Sequence, residues 1–174
     1  MAALPDHLDR KAHVELSGLD LERYFRAATL LIFVGISAAG LANVFGQHTE
    51  VTSVDAPKAK FTLDAPRAAR GGLIYQAKFR VDAHQDLAKP TLVLAPGWFD
   101  GLTINTVEPD AVTWGQRNGL NTVQLPAIAA GDHFVLRFQY QVNPTVIGVH
   151  DQDVQLTEGG APIASIDFSE TIFP

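Results

Sequence analysis

The feature that most limits what this chain can become is residues 27–46, AATLLIFVGISAAGLANVFG, twenty positions without one charge. About 20 apolar residues rising 1.5 Å each cross a hydrocarbon layer about 30 Å thick. The polar residues in the run are Thr29, Ser37 and Asn43, and Asn43 stands near its end. Tyr24, Phe25 and Phe45 flank it where interfacial aromatics sit. Gly35, Ala38, Ala39 and Ala42 form a small-residue stripe at three- and four-residue spacing, which lets membrane helices approach closely. A helix buried in a soluble domain would show a polar face, and the middle of this run has none. The run therefore predicts a single transmembrane helix in contact with membrane lipid.

Flanking charge sets the expected orientation. Arg10, Lys11, Arg23 and Arg26 precede the run, and the first basic residue beyond it is Lys58. Basic residues stay on the cytoplasmic side, so residues 1–17 read as a cytoplasmic tail and residues 47–174 as an exported domain. The rival is a cleaved leader, for which Gly40-Leu41-Ala42 supplies a small-x-small site. Against it, the leading segment is long and looks structured. Ser17 with Asp20 resembles a capping box, and Leu16 is placed as its staple. The expected organisation is a tail (1–17), a juxtamembrane and transmembrane helix (18–46) and an exported domain (47–174) in the bacterial cytoplasmic membrane.

Beyond Gly46 the period changes from helical to alternating. In residues 134–142, Phe134, Leu136, Phe138, Tyr140 and Val142 share one face. In residues 75–81, Tyr75, Ala77, Phe79 and Val81 do the same, with Gln76, Lys78 and Arg80 opposite. One dry and one wet face mark an antiparallel sheet packed on a core. Further strands are expected at 51–54, 59–63, 91–94, 103–107, 111–114, 122–125, 149–156 and 162–168. Turn signals separate them, among them Asn118-Gly119 and Glu158-Gly159-Gly160 as hairpin tips. The fold class is therefore mainly β, an Ig-like antiparallel β-sandwich preceded by one transmembrane α-helix.

Residues 72–143 resemble the bacterial surface repeat family DUF11, an Ig-like module. The matching features are the alternating strand 73–81, Leu94-Ala95-Pro96-Gly97, Val112-Thr113-Trp114, and Leu125-Pro126-Ala127-Ile128-Ala129-Ala130-Gly131 before strand 134–142. Ala83-His84-Gln85 replaces the family's Asn-x-Gly, and Trp98-Phe99-Asp100-Gly101 is inserted in its turn. The resemblance implies a structural or adhesive envelope role and carries no catalytic residues.

Chemistry is sparse. Thirteen Lys and Arg against nineteen Asp and Glu give a net charge of −6, a poor match for nucleic acid. With no cysteine, disulfides, thiolate metal sites and cysteine nucleophiles are excluded. Phosphate-loop, dinucleotide, H-E-x-x-H and G-x-S-x-G motifs are missing, so no cofactor is expected. His7, His13, His48, His84, His133 and His150 follow no ligand spacing. The weak metal candidates are His150, Asp151 and Asp153, with alternate carboxylates on one strand face. In Asp82-Ala83-His84-Gln85-Asp86 a histidine between carboxylates could sense pH. The stronger candidate is Pro96-Gly97-Trp98-Phe99-Asp100-Gly101, where Trp98 and Phe99 on an exposed loop would anchor a partner. Lys58, Lys60, Arg67 and Arg70, with Lys78 and Arg80, fall within one stretch of 23 positions in the part of the domain nearest the span and are candidates for headgroup contact.

These readings converge on a single-pass, non-enzymatic accessory protein that binds another membrane or envelope protein. The alternative is a periplasmic small-ligand or metal-binding sensor or chaperone using the His84 or His150 neighbourhood.

Overall fold

The computed structural model describes residues 19–42, 44 and 49–174. The tail, the Ser17 and Leu16 cap, Asn43, Phe45, Gly46, His7, His13 and His48 lie outside the described residues, as do the side chains of Leu19 and Asp20. The chain divides into a helical unit and a strand-built unit, Gly46–Pro174.

In the first, α1 runs over Leu19–Leu41. Within it, Leu21–Leu41 has a mean hydropathy of 1.6. Glu22 and Arg26 pair one turn apart near its start, and the Thr29 hydroxyl donates to the Phe25 carbonyl. Leu30, Leu31, Ile32, Phe33, Val34 and Ile36 are all exposed.

The second unit contains β1 (Thr49–Asp55), β2 (Ala59–Pro66), β3 (Ala68–Arg70), β4 (Ile74–Ala83), β5 (Pro90–Leu94), β6 (Leu102–Glu108), β7 (Thr113–Arg117), β8 (Leu120–Gln124), β9 (His133–Val142), β10 (Gly148–Asp151), β11 (Val154–Glu158), β12 (Ala161–Ile166) and β13 (Ser169–Phe173). One sheet has the order β1-β2-β4-β9-β6, a second β12-β11-β5-β8-β7, and a small third β10-β13-β3. Among the described residues every strand pairing is antiparallel except β13 with β3.

Alternation explains which face is dry. Tyr75, Ala77, Phe79 and Val81 of β4 are buried, as are Leu136, Phe138, Tyr140 and Val142 of β9. Opposite them the second sheet contributes Leu92, Leu94, Val123, Val154, Leu156 and Ile166. The hairpin tip Asn118-Gly119 has both residues at positive φ, 52° and 80°, as a two-residue turn between twisted strands requires.

Two expectations shift. Residues 149–156 are two strands, because the chain passes from the third sheet to the second at Gln152 and Asp153. The register nonetheless runs on, from Gly148↔Ile172 to Val154↔Ile166. This is one long hairpin bent where the Gln152 N–H donates to the Phe168 carbonyl at 2.8 Å. Inward and outward positions keep alternating through the bend, so the sequence reads as a single strand. The same bend hides β13, since 162–168 continues into Ser169–Phe173.

Candidate functional site

The loop after β5 is where the aromatic pair is expected on the surface. Pro96–Trp98 forms a single 3-10 turn. Trp98 is 0% exposed. A Cβ at Gly97 would stand 2.2 Å from the Asp151 carbonyl oxygen, so the backbone passes where no side chain fits and the next residue swings into the core. The Trp98 ring lies 5.2 Å from Phe79, 5.7 Å from Tyr140 and 6.3 Å from Phe168. Its Nε1–H donates to the Asp153 carbonyl at 3.3 Å. Trp98 is thus corrected from partner anchor to core residue: its indole is fully enclosed and its only polar atom is satisfied.

Phe99 points elsewhere. It is partly buried, and its ring meets Trp114 edge-on at 6.3 Å. Trp114 lies on β7 opposite Val123, so it faces inward, yet it stays 44% exposed because among the described residues β7 is the edge of its sheet. Its ring stacks on Phe138 at 5.5 Å. Val107 pairs with Phe138 across β6 and β9, and with Ile104 and Val112 it is only partly buried. Between the edge strands β6 and β7 the sandwich is therefore open, with Phe99, Trp114, Val107 and Val112 at the opening. Half-exposed aromatic rings on a rigid apolar floor are the composition of a contact surface. Sequence reading reaches this neighbourhood through Phe99; the tryptophan that lies there half-exposed is Trp114, not Trp98.

The other candidates have structural partners. The Asp153 carboxylate accepts from the Phe168 N–H at 2.9 Å, at the hairpin bend. His150 Nδ1 is 3.9 Å from Asp100, and the buried Gln152 separates Asp151 from Asp153. Among the described residues no group of three or more His, Asp or Glu is placed to hold a metal ion. In the other cluster, Asp82 takes two-pronged hydrogen bonds from Arg80, which hold its carboxyl below the ordinary range. His84 lies 2.8 Å from Asp55 instead, and Asp86 accepts the Ala130 N–H.

The basic residues do not form one patch. Asp55 pairs with Lys60 and Thr49 with Pro66, so Lys58 and Lys60 are separated from Arg67 by the length of β2, about 20 Å. Arg67 is engaged by Glu50 and lies 4.6 Å over the Phe168 ring. Lys78 pairs with Asp64 at 3.0 Å. These two line an open cleft of about 290 Å³ with Thr49, Pro66, Tyr75 and Gln76.

A buried polar group escapes the sequence reading. Glu170 on β13 is 0% exposed. Its Oε2 accepts from the Tyr75 hydroxyl and from Gln152 Nε2, both at 2.8 Å. Burial pushes its carboxyl up to about 7, opposed by those two hydrogen bonds. Burial, then the nearby Glu170, also raises the Tyr75 and Tyr140 hydroxyls. The signal is the alternation Phe168, Glu170, Ile172, in which a charge occupies an inward position.

No family model matches the chain, the surface repeat family that residues 72–143 resemble included, and no curated protein matches it. Solved structures similar to it include a non-cellulosomal cohesin from Archaeoglobus fulgidus, 11% identical with a TM-score of 0.39, covering 72% of this chain and 91% of that one. CaCohA2 from Clostridium acetobutylicum is 8% identical with a TM-score of 0.43, covering 69% and 92%. The chitin-binding domain of a chitinase from Pyrococcus furiosus is 14% identical with a TM-score of 0.35, covering 68% and 98%. The chain is mainly β, an Ig-like antiparallel β-sandwich preceded by one apolar helix.

Proposed function

We propose that this chain is a non-enzymatic accessory protein of the bacterial envelope. In this reading α1 anchors it in the cytoplasmic membrane with the N-terminus inside, and the exported sandwich offers its Phe99–Trp114 opening to another protein. The observation that carries the anchor is α1 itself: from Leu21 to Leu41 its mean hydropathy is 1.6, and none of its most apolar 18-residue stretch is buried. Apolar area left in water costs about 25 cal/mol per Å², and a bilayer removes that cost for the whole circumference. Arg23 and Arg26 at one end, with none until Lys58 at the other, support the orientation. Of the basic residues, Arg67 and Arg70 lie at the sandwich end where β1 begins and are the ones proposed to meet anionic headgroups. Lys58 and Lys60 belong to the far end of β2.

Washing membranes that contain the full chain with alkaline carbonate tests the anchor. The protein is expected to stay in the pellet, with its sandwich open to protease only from the outer face and its N-terminus intact by mass spectrometry. Release into the wash, or a mature N-terminus near Ala42, overturns it.

A further inference from the structure

We infer that the partner at the open edge is a second copy of this chain, joined by antiparallel pairing of β7 with β7 about Gly115. This rests on reading the Phe99–Trp114 opening as an interaction surface.

The first ground is that β7 is an unguarded edge. Exposed edge strands are ordinarily blunted by bulges, prolines, charges or shortness. Here β6 carries a register shift between Ile104 and Thr106. β12 has Pro162, and its pairing with β11 shifts at Leu156 and Thr157. β1 carries Glu50 and Asp55. β10 has only four residues, among them His150 and Asp151. β7, TWGQR, has no register shift and no proline, and its one charge is its last residue.

The second ground is register. β7 and β8 join through a two-residue turn, with Arg117 opposite Leu120. Residues flanking such a turn exchange both backbone hydrogen bonds, and hydrogen-bonded and non-bonded pairs then alternate. Thr113, Gly115 and Arg117 therefore turn their N–H and C=O toward β8. Trp114 and Gln116 turn theirs toward the open edge. Centring two copies on Gly115 sets Trp114 opposite Gln116 of the second copy, each exchanging both bonds with its opposite. Glycine faces glycine at the axis, so no side chains collide there.

The third ground is charge. Glu108 and Asp110 stand exposed before β7 and Arg117 stands exposed at its end, and none of the three is in an ion pair among the described residues. Antiparallel pairing brings the basic end of each strand toward the acidic approach of the other. A two-fold contact of this kind is self-complementary.

The chain has no cysteine, so single cysteines report the contact cleanly. In this register position 115 is a non-hydrogen-bonded pair, where the two Cβ atoms come closest. A Cβ there meets only the Thr122 hydroxyl at 3.0 Å, a side chain that can turn. The full-length Gly115→Cys chain, oxidised in isolated membranes, is expected to run largely as a disulfide dimer. Val51→Cys, on the exposed edge strand β1, is expected to stay monomeric under the same oxidation. Adding Gln116→Pro to Gly115→Cys removes a donor that points to the open edge, where an edge strand tolerates proline; the dimer is then expected to disappear while the melting transition persists. Equal crosslinking by Val51→Cys overturns the pairing, since collision would then suffice. So does a Gly115→Cys chain that is folded and labels with maleimide yet yields no dimer. A disulfide adduct of the Gly115→Cys chain to a different polypeptide also overturns self-pairing, while leaving the opening as an interaction surface.

Discussion

The two tryptophans of this chain lie on either side of one aromatic cluster and have opposite fates. Trp98 is enclosed, held by a glycine that brings the backbone against Asp151 and by a hydrogen bond to Asp153. Trp114 covers the same cluster from the edge, stacked on Phe138, with 44% of its surface left in water. Neither residue type nor sequence neighbourhood separates them. What separates them is whether other structure lies beyond: among the described residues β7 ends its sheet, whereas Trp98 lies between Phe79 and Tyr140 of the first sheet and Phe168 and Asp153 at the bend of the hairpin.

The contrast breaks most sharply at Trp98. Trp98→Ala is expected to cost about 3–5 kcal/mol of stability, read by chemical denaturation, because the Phe79, Tyr140 and Phe168 rings lose their common neighbour. A loss below about 1 kcal/mol, as for an exposed ring, removes the distinction.

The next largest effect belongs to the buried end of the cluster. Tyr140 lies against Trp98 and, at 5.5 Å, against Tyr75, whose hydroxyl donates to Glu170. The Glu170 carboxyl titrates near 7 in the folded protein against an ordinary 4.5. The folded state therefore holds its proton more tightly than the unfolded chain. The resulting stability is complete below about pH 4.5, is lost as pH rises towards 7, and amounts to something on the order of 3 kcal/mol. Glu170→Gln should flatten that part of the melting-temperature profile and leave the variant relatively more stable at about pH 8. An unchanged slope between about pH 5 and 8 rules out Glu170 as its source.

Gly97→Ala should follow, at about 2–3 kcal/mol, since the added Cβ meets backbone rather than a movable side chain. Denaturation again reads it, and a neutral substitution would mean that the turn can shift. Trp114→Ala should cost only about 1 kcal/mol, while weakening any contact made through the opening. The smallest effect is optical. With Trp98→Phe the remaining emission should be quenched readily by acrylamide, and with Trp114→Phe it should be shielded.

Much of the fold was legible in the residues. Alternation placed β4 and β9 and their inward faces, and Asn118-Gly119 marked a true hairpin tip, because both signals are local. The bent hairpin was not legible, since inward and outward positions keep alternating while the hydrogen-bond partner changes. Of the expected aromatic pair, Phe99 lies at the opening, whereas Trp98 turns inward because a distant carbonyl, that of Asp151, occupies the space beside Gly97. Glu170 is not legible as buried, because a charged residue at an inward position reads locally as one that faces water.

The amino-acid sequence alone determined a charge-free run of membrane-spanning length, the change of period after it, the absence of thiol chemistry and the β class of the larger unit. Those follow from composition and from repeats only a few residues long. Tertiary structure alone decided which tryptophan is buried, that Lys58 and Lys60 stand a strand length from Arg67, and that β7 is the unguarded edge. Each of those depends on contacts between residues far apart in the chain, and strand order, which no local pattern encodes, brings them together.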